Sequence, residues 1–116
     1  YSLAEKMFVS DLIVYISPIY YYSMPAKLKC VFDRFNSIYV KGDMEKLKDK
    51  KVALIYTHGA ESSENEVFVK AFEYTFKYLK MNDLGSIGLK SSYSSGIEKK
   101  ELEDLKEFGK KILKRV

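Results

Sequence analysis

Leu12-Ile-Val-Tyr-Ile16 constrains the fold more than any other stretch: five β-favouring residues in a row with no charged or amide side chain among them. A strand with one solvated face alternates apolar and polar residues. An unbroken run therefore belongs to a strand covered on both faces, as in a parallel sheet with helices above and below. Val52-Ala-Leu-Ile-Tyr56 repeats the pattern. Ile87-Gly-Leu89 is weaker, with Ser86, Lys90 and Ser91 beside it, as expected at a sheet edge.

Between these runs the periodicity becomes helical. Met24, Leu28, Val31, Phe32, Phe35 and Ile38 recur at steps of 4, 3, 1, 3 and 3, which is one helical face, with Ser23 placed to cap it and Pro25 in its first turn. A second helix carries Val67, Phe68, Ala71, Phe72, Thr75, Phe76 and Leu79, announced by the capping-box pair Ser63 and Glu66. A third carries Leu102, Leu105, Phe108 and Ile112 after a similar start at Ser95 and Glu98, and Leu3 to Phe8 resembles the end of a further helix. Alternating strands and helices imply a parallel sheet with right-handed crossovers, an α/β fold. With 116 residues and no repeat, linker or low-complexity segment, the chain is expected to form one domain with a radius of gyration near ~13 Å.

Composition narrows the function classes. A hydrophobic fraction of 47% excludes disorder, and 31% charged residues exclude a membrane-embedded chain. The lone Cys30 excludes an intramolecular disulfide and any zinc or iron–sulfur site built from this chain's own thiols. No apolar run is long enough to span a bilayer and no signal-like segment is present, so a soluble, cytoplasmic protein without a membrane partner is expected. The net charge of +4 is scattered: Lys46, Lys48, Lys50 and Lys51 are interrupted by Asp49, and Lys106 to Arg115 suit a helix C-terminus. No basic stripe runs beside stacking aromatics, so no nucleic-acid partner is expected.

A strand as apolar as Leu12–Ile16 needs neighbours on both edges, yet Val52–Tyr56 is its one natural neighbour here. The chain also opens inside a helical pattern. A preceding part of the sheet is therefore expected to complete the domain.

Ligands of open α/β sheets bind beyond the carboxyl ends of the strands. After the first strand comes Ser17-Pro-Ile-Tyr-Tyr-Tyr-Ser-Met-Pro25. Three consecutive tyrosines in a loop cannot all enter a core. They form either a stiff platform for a planar ring or a surface packed under the loop or in a subunit contact. After the second strand, Thr57-His-Gly-Ala60 offers donors at Thr57 and His58 and a close backbone approach at Gly59. His58 is open to two readings, proton transfer or an ordinary polar surface position. Ser91-Ser-Tyr-Ser-Ser-Gly96 either reaches the same cleft or caps the last helix. No GxGxxG, Walker or nucleophile-elbow motif occurs, and Asp33, Glu61 and Glu64 show no catalytic pairing. No catalytic acid or base and no metal site is expected.

The run Ser10-Asp-Leu-Ile-Val-Tyr-Ile-Ser-Pro-Ile-Tyr20, with Ser23-Met-Pro-Ala-Lys-Leu-Lys29, Asp33-Arg34 and Lys50-Lys-Val-Ala-Leu-Ile-Tyr-Thr-His-Gly59, resembles the flavodoxin-like NADPH-dependent FMN reductase family. Iron–sulfur flavoproteins and multimeric flavodoxin-like quinone reductases are among its members. The resemblance implies a flavodoxin-like three-layer sandwich with sheet order 2-1-3-4-5, of which strands 3, 4 and 5 are present, and FMN at the switch point. It implies that Pro18, Ile19, Tyr20, Tyr21, Tyr22 and Ser23 contact the isoalloxazine ring, with Thr57, His58 and Gly59 at its pyrimidine edge. Lys29, Asp33 and Arg34 are expected to be structural, Lys29 and Asp33 as a helix-surface pair.

The activity implied is an FMN-dependent oxidoreductase. NADPH or NADH passes hydride to the flavin, which reduces a quinone, a free flavin or a redox protein. The alternative is an electron carrier reduced by a partner protein. A homo-oligomer is expected, from the family and from Val69, Tyr74 and Tyr78 lying off the main apolar face of their helix. The family's first strand and phosphate loop have no counterpart in these residues. The 116 residues alone are thus expected to bind FMN poorly.

Overall fold

The computed structural model describes residues 2–59, 62–92 and 94–116. The order is α1 (Ser2–Val9), β1 (Leu12–Pro18), α2 (Ala26–Asp33), α3 (Phe35–Val40), a 3-10 turn (Met44–Lys46), β2 (Lys51–His58), a second 3-10 turn (Ser62–Asn65), α4 (Glu66–Tyr78), β3 (Asn82–Ser92), β4 (Gly96–Ile97) and α5 (Lys99–Leu113). The sheet runs β1-β2-β3-β4. The first three strands are parallel, and Ile16, Ile55 and Ile87 stand level across them. The parallel α/β layout is the one expected, and β4, antiparallel to the end of β3, is an addition.

Alternation along the strands sorts the apolar residues into two layers. On one face Tyr15, Val52 and Leu54 meet Met7 of α1, Ile38 of α3 and Phe68, Phe72 and Phe76 of α4. The spacing of the three phenylalanines, every fourth residue, is what turns them all onto the sheet. On the other face Ala53 and Leu84 meet Ile112 and Phe108 of α5.

Two glycines shape β3. Gly85, at φ +120, lies where Leu84 and Gly85 together oppose Ala53, a bulge tied by its N–H donating to Asp83 Oδ1 at 2.9 Å. At Gly88 an added Cβ would stand 2.5 Å from the Tyr56 ring, so glycine is what lets that ring lie against the strand.

Several local expectations give way. The helix expected over 24–38 is divided at Arg34, whose ψ of −10 replaces an α step by an i to i+3 bond, the Ser37 N–H donating to Arg34 O at 2.9 Å. The resulting turn still delivers Phe35 and Ile38 to the core. None of the three expected serine caps forms. Pro25, Asn65 and Glu98 take the N-cap positions without side-chain bonds, while Ser95 pairs with Ser92 in the β3–β4 turn. Ile87–Leu89 sits inside an eleven-residue β3 that has an edge free until Ser91. Val69 packs against the core, whereas Val67 is 67% exposed.

Among the described residues β1 pairs with β2 alone, the one neighbour that the sequence offers Leu12–Ile16. Val14 and Ile16 consequently stand 41% and 74% exposed on the face that α5 covers in part. The radius of gyration is 14.9 Å, above the ~13 Å expected of a compact body this size. Among the described residues, no helix is long and apolar enough to cross a membrane.

Candidate functional site

Backbone pairing holds the loops beyond β1 and β2 side by side. Pro18 lies opposite Thr57, and the Ile19 N–H donates to Thr57 O at 3.1 Å, carrying the pairing one residue past the strand. The chain then reverses within four residues. The Tyr20 N–H donates to Ser23 O at 2.9 Å and the Ser23 N–H to Tyr20 O at 3.0 Å. Tyr21 and Tyr22 are the two central residues, at φ +48 and +65.

A reversal with positive φ at both central positions is the hairpin turn that ordinarily carries Asn-Gly. A side chain with a Cβ in that region costs roughly 1–2 kcal/mol per residue. Here two adjacent tyrosines accept it. None of the three neighbouring tyrosines is buried: Tyr20, Tyr21 and Tyr22 are 60%, 98% and 56% exposed. Strained, exposed aromatics at the carboxyl end of a strand single this turn out as the candidate site.

Facing this turn, β2 ends at His58, whose ring lies 6.0 Å from that of Tyr56. Burial pushes the Tyr56 phenol above its ordinary value. A cavity of about 230 Å³ lies between the two loops, lined by Ile19, Tyr21, Tyr22, His58, Gly59, Glu64 and Asn65.

Of the residues expected at the site, Ile19, Tyr21, Tyr22, His58 and Gly59 thus share one cavity. Pro18 and Thr57 pair behind it, and Tyr20 and Ser23 close the turn. Among the described residues, Ser91, Ser92 and Ser94 to Gly96 do not line it. Ser91, Ser92, Ser95 and Gly96 border a separate cavity with Glu98 and Glu101. Ala60, Glu61 and Tyr93 lie outside the described residues.

Glu64 and Asn65 are additions that the sequence did not single out. The helix start was placed at Ser63, which made them first-turn residues. The chain instead makes a 3-10 turn there and begins α4 at Glu66, which sets Asn65 beneath the cavity with 4% exposure. A polar residue directly before a long amphipathic helix was the available signal.

An open parallel sheet flanked by helices, with its cavity beyond the carboxyl ends of two adjacent strands, defines the doubly wound α/β class. The chain belongs to the family of the flavodoxin-like fold, whose pattern it matches over residues 1–115. Solved structures agree with that assignment. The Trp repressor binding protein from Bacillus subtilis superposes with a TM-score of 0.76 at 18% identity, over 96% of this chain and 67% of that one. An NADPH-quinone reductase from P. pentosaceus gives 0.73 at 19% identity, over 96% and 70%. The general stress protein 14 from Treponema denticola, solved in complex with FMN, gives 0.68 at 20% identity, over 97% and 68%. At these identities the likeness establishes the fold. No curated protein matches the chain.

Proposed function

We propose that this chain binds FMN and acts as an oxidoreductase that takes hydride from NADPH or NADH and passes electrons to a quinone, a flavin or a redox protein. The observation that carries the reading is the turn at Tyr21 and Tyr22, two exposed aromatics held in left-handed backbone against the His58–Gly59 loop. The residues present fit the flavin ring. Tyr21 and Tyr22 supply flat apolar faces, and Thr57, His58 and Gly59 bring polar and backbone groups to one edge. Pro18, Ile19, Tyr20 and Ser23 fix where those faces stand. Bound FMN supplies the hydride and electron chemistry, which leaves the protein to bind, orient and exclude water.

The phosphate at the end of FMN's ribityl chain needs a second element. The free edge of β1, the exposed Val14 and Ile16, and the greater length of the matched solved chains support a strand and loop that pair along β1 and carry that phosphate. Self-association is part of the same reading. Tyr39, Tyr74 and Tyr78, all 64% or more exposed, border an open groove of about 640 Å³ between α3 and α4, and sedimentation as a monomer at micromolar concentration would remove this part of the proposal.

The test is spectroscopic. The whole protein should retain the flavin absorption bands when FMN is added and excess removed, and NADPH or NADH should bleach them. A protein that ignores FMN overturns the reading. Bleaching by a reduced redox protein but by neither nicotinamide would make it an electron carrier.

A further inference from the structure

Among the described residues, two buried side-chain polar atoms lack a hydrogen-bond partner: Tyr15 Oη inside the aromatic core, and Asn65 Nδ2 beside the cavity. Asn65 is 96% covered, yet it forms part of the wall that faces Tyr21 and Tyr22. Asn65 stands at the N-cap of α4 with helical φ and ψ of −80 and −12, so its side chain does not cap the helix. Nδ2 is thus a buried donor without a protein acceptor, and an acceptor brought by a ligand would satisfy it.

The chemistry of the wall selects the acceptor. An amide N–H is a neutral donor suited to a carbonyl oxygen. Glu64, on the same wall, disfavours a phosphate or carboxylate there. Asparagine's broad two-fold χ2 lets the amide turn into the cavity without leaving its χ1 well. We infer that Asn65 is a specificity-determining residue: its side-chain amide donates to a carbonyl oxygen on the edge of the ring seated against Tyr21 and Tyr22. This rests on the flavin reading above, and it names the part of the ring that is read on the α4 side.

The experiment measures dissociation constants of FMN, 2-thio-FMN and 4-thio-FMN for the whole protein and for Asn65→Leu, together with the melting temperature of each. Sulfur accepts a hydrogen bond more weakly than oxygen, so wild type should prefer FMN over one of the two analogues by about five- to tenfold, the worth of one neutral hydrogen bond. Asn65→Leu should bind FMN weaker by about the same factor and lose that preference, with an unchanged or higher melting temperature. If Asn65→Leu does not fold, Asn65→Ala, which also removes the donor and adds no charge, serves in its place and should show the same loss of analogue preference. Weaker binding with the analogue preference intact would mark a structural role and overturn the inference. So would unchanged FMN affinity in the variant, and in both cases the flavin site itself would stand. Wild type binding none of the three flavins would overturn both readings.

Discussion

Phe68, Phe72 and Phe76 lie along α4 with exposures of 1%, 0% and 1%, whereas Tyr20, Tyr21 and Tyr22 beyond β1 are exposed to 60%, 98% and 56%. The two groups are alike in chemistry and opposite in treatment. The phenylalanines sit on a regular helix and touch in sequence, with ring centroids 5.0 Å apart for Phe68 and Phe72 and 6.0 Å for Phe72 and Phe76. Phe32 stacks on Tyr15 at 5.2 Å and meets Phe72 edge-on, which closes the cluster over β1. At the rim, the backbone of Tyr21 and Tyr22 is strained and both side chains stay exposed. Where aromatics build the fold, burial and low-energy backbone coincide. Where strain and aromatic exposure coincide instead, the proposed flavin site is the reason offered for both.

The largest expected effect comes from opening the buried cluster. Phe72→Ala removes the ring at its centre and should cost about 3–5 kcal/mol in urea unfolding. A loss below about 1 kcal/mol would show that the cluster is not close-packed.

Relieving the rim should act in the opposite direction. Tyr21→Asn with Tyr22→Gly places the preferred pair in the same turn and should stabilise the fold by about 1–3 kcal/mol while weakening FMN binding by about tenfold or more. A destabilised double variant would mean that the tyrosines serve the fold after all.

Tyr15 sharpens the comparison from within the core. Its hydroxyl is buried without a partner, so Tyr15→Phe should raise stability by about 1 kcal/mol. Burial also pushes the Tyr15 phenol well above its ordinary value. A group whose pKa is higher in the folded state contributes stability fully below its unfolded value, about 10 for tyrosine, and loses it as pH rises beyond that. Wild type should therefore lose stability above about pH 10 faster than Tyr15→Phe, and parallel alkaline profiles would contradict the burial. At the small end, Lys29 and Asp33 form a surface pair on α2, as expected, with side chains 57% and 62% exposed. Lys29→Ala should change stability by less than about 0.5 kcal/mol in the same unfolding assay.

The fold was legible because its signals were local and repeated. Leu12–Ile16 and Val52–Tyr56 mark themselves as strands by unbroken apolarity, and the four-residue spacing of Phe68, Phe72 and Phe76 marks a core-facing helix. Caps were less legible. Ser23, Ser63 and Ser95 have the right chemistry, but the backbone of Ser23 is committed to the turn at Tyr20, and a 3-10 turn moves the start of α4 past Ser63. The tyrosine run pointed to a surface feature, yet its left-handed backbone was invisible to propensity, which would have placed Asn-Gly there. Asn65 was missed because its role depends on a cavity wall assembled from residues more than forty positions apart, such as Tyr22 and Asn65.

The central claim is that the tyrosine turn and the His58 loop together hold a flavin ring. Two-dimensional amide NMR of the whole protein during an FMN titration tests it most directly. The account predicts that shifts concentrate at Ile19 to Ser23, Thr57 to Gly59 and Glu64 to Asn65 and saturate together. Shifts confined to the groove between Tyr39, Tyr74 and Tyr78, or none at saturating FMN, would contradict it.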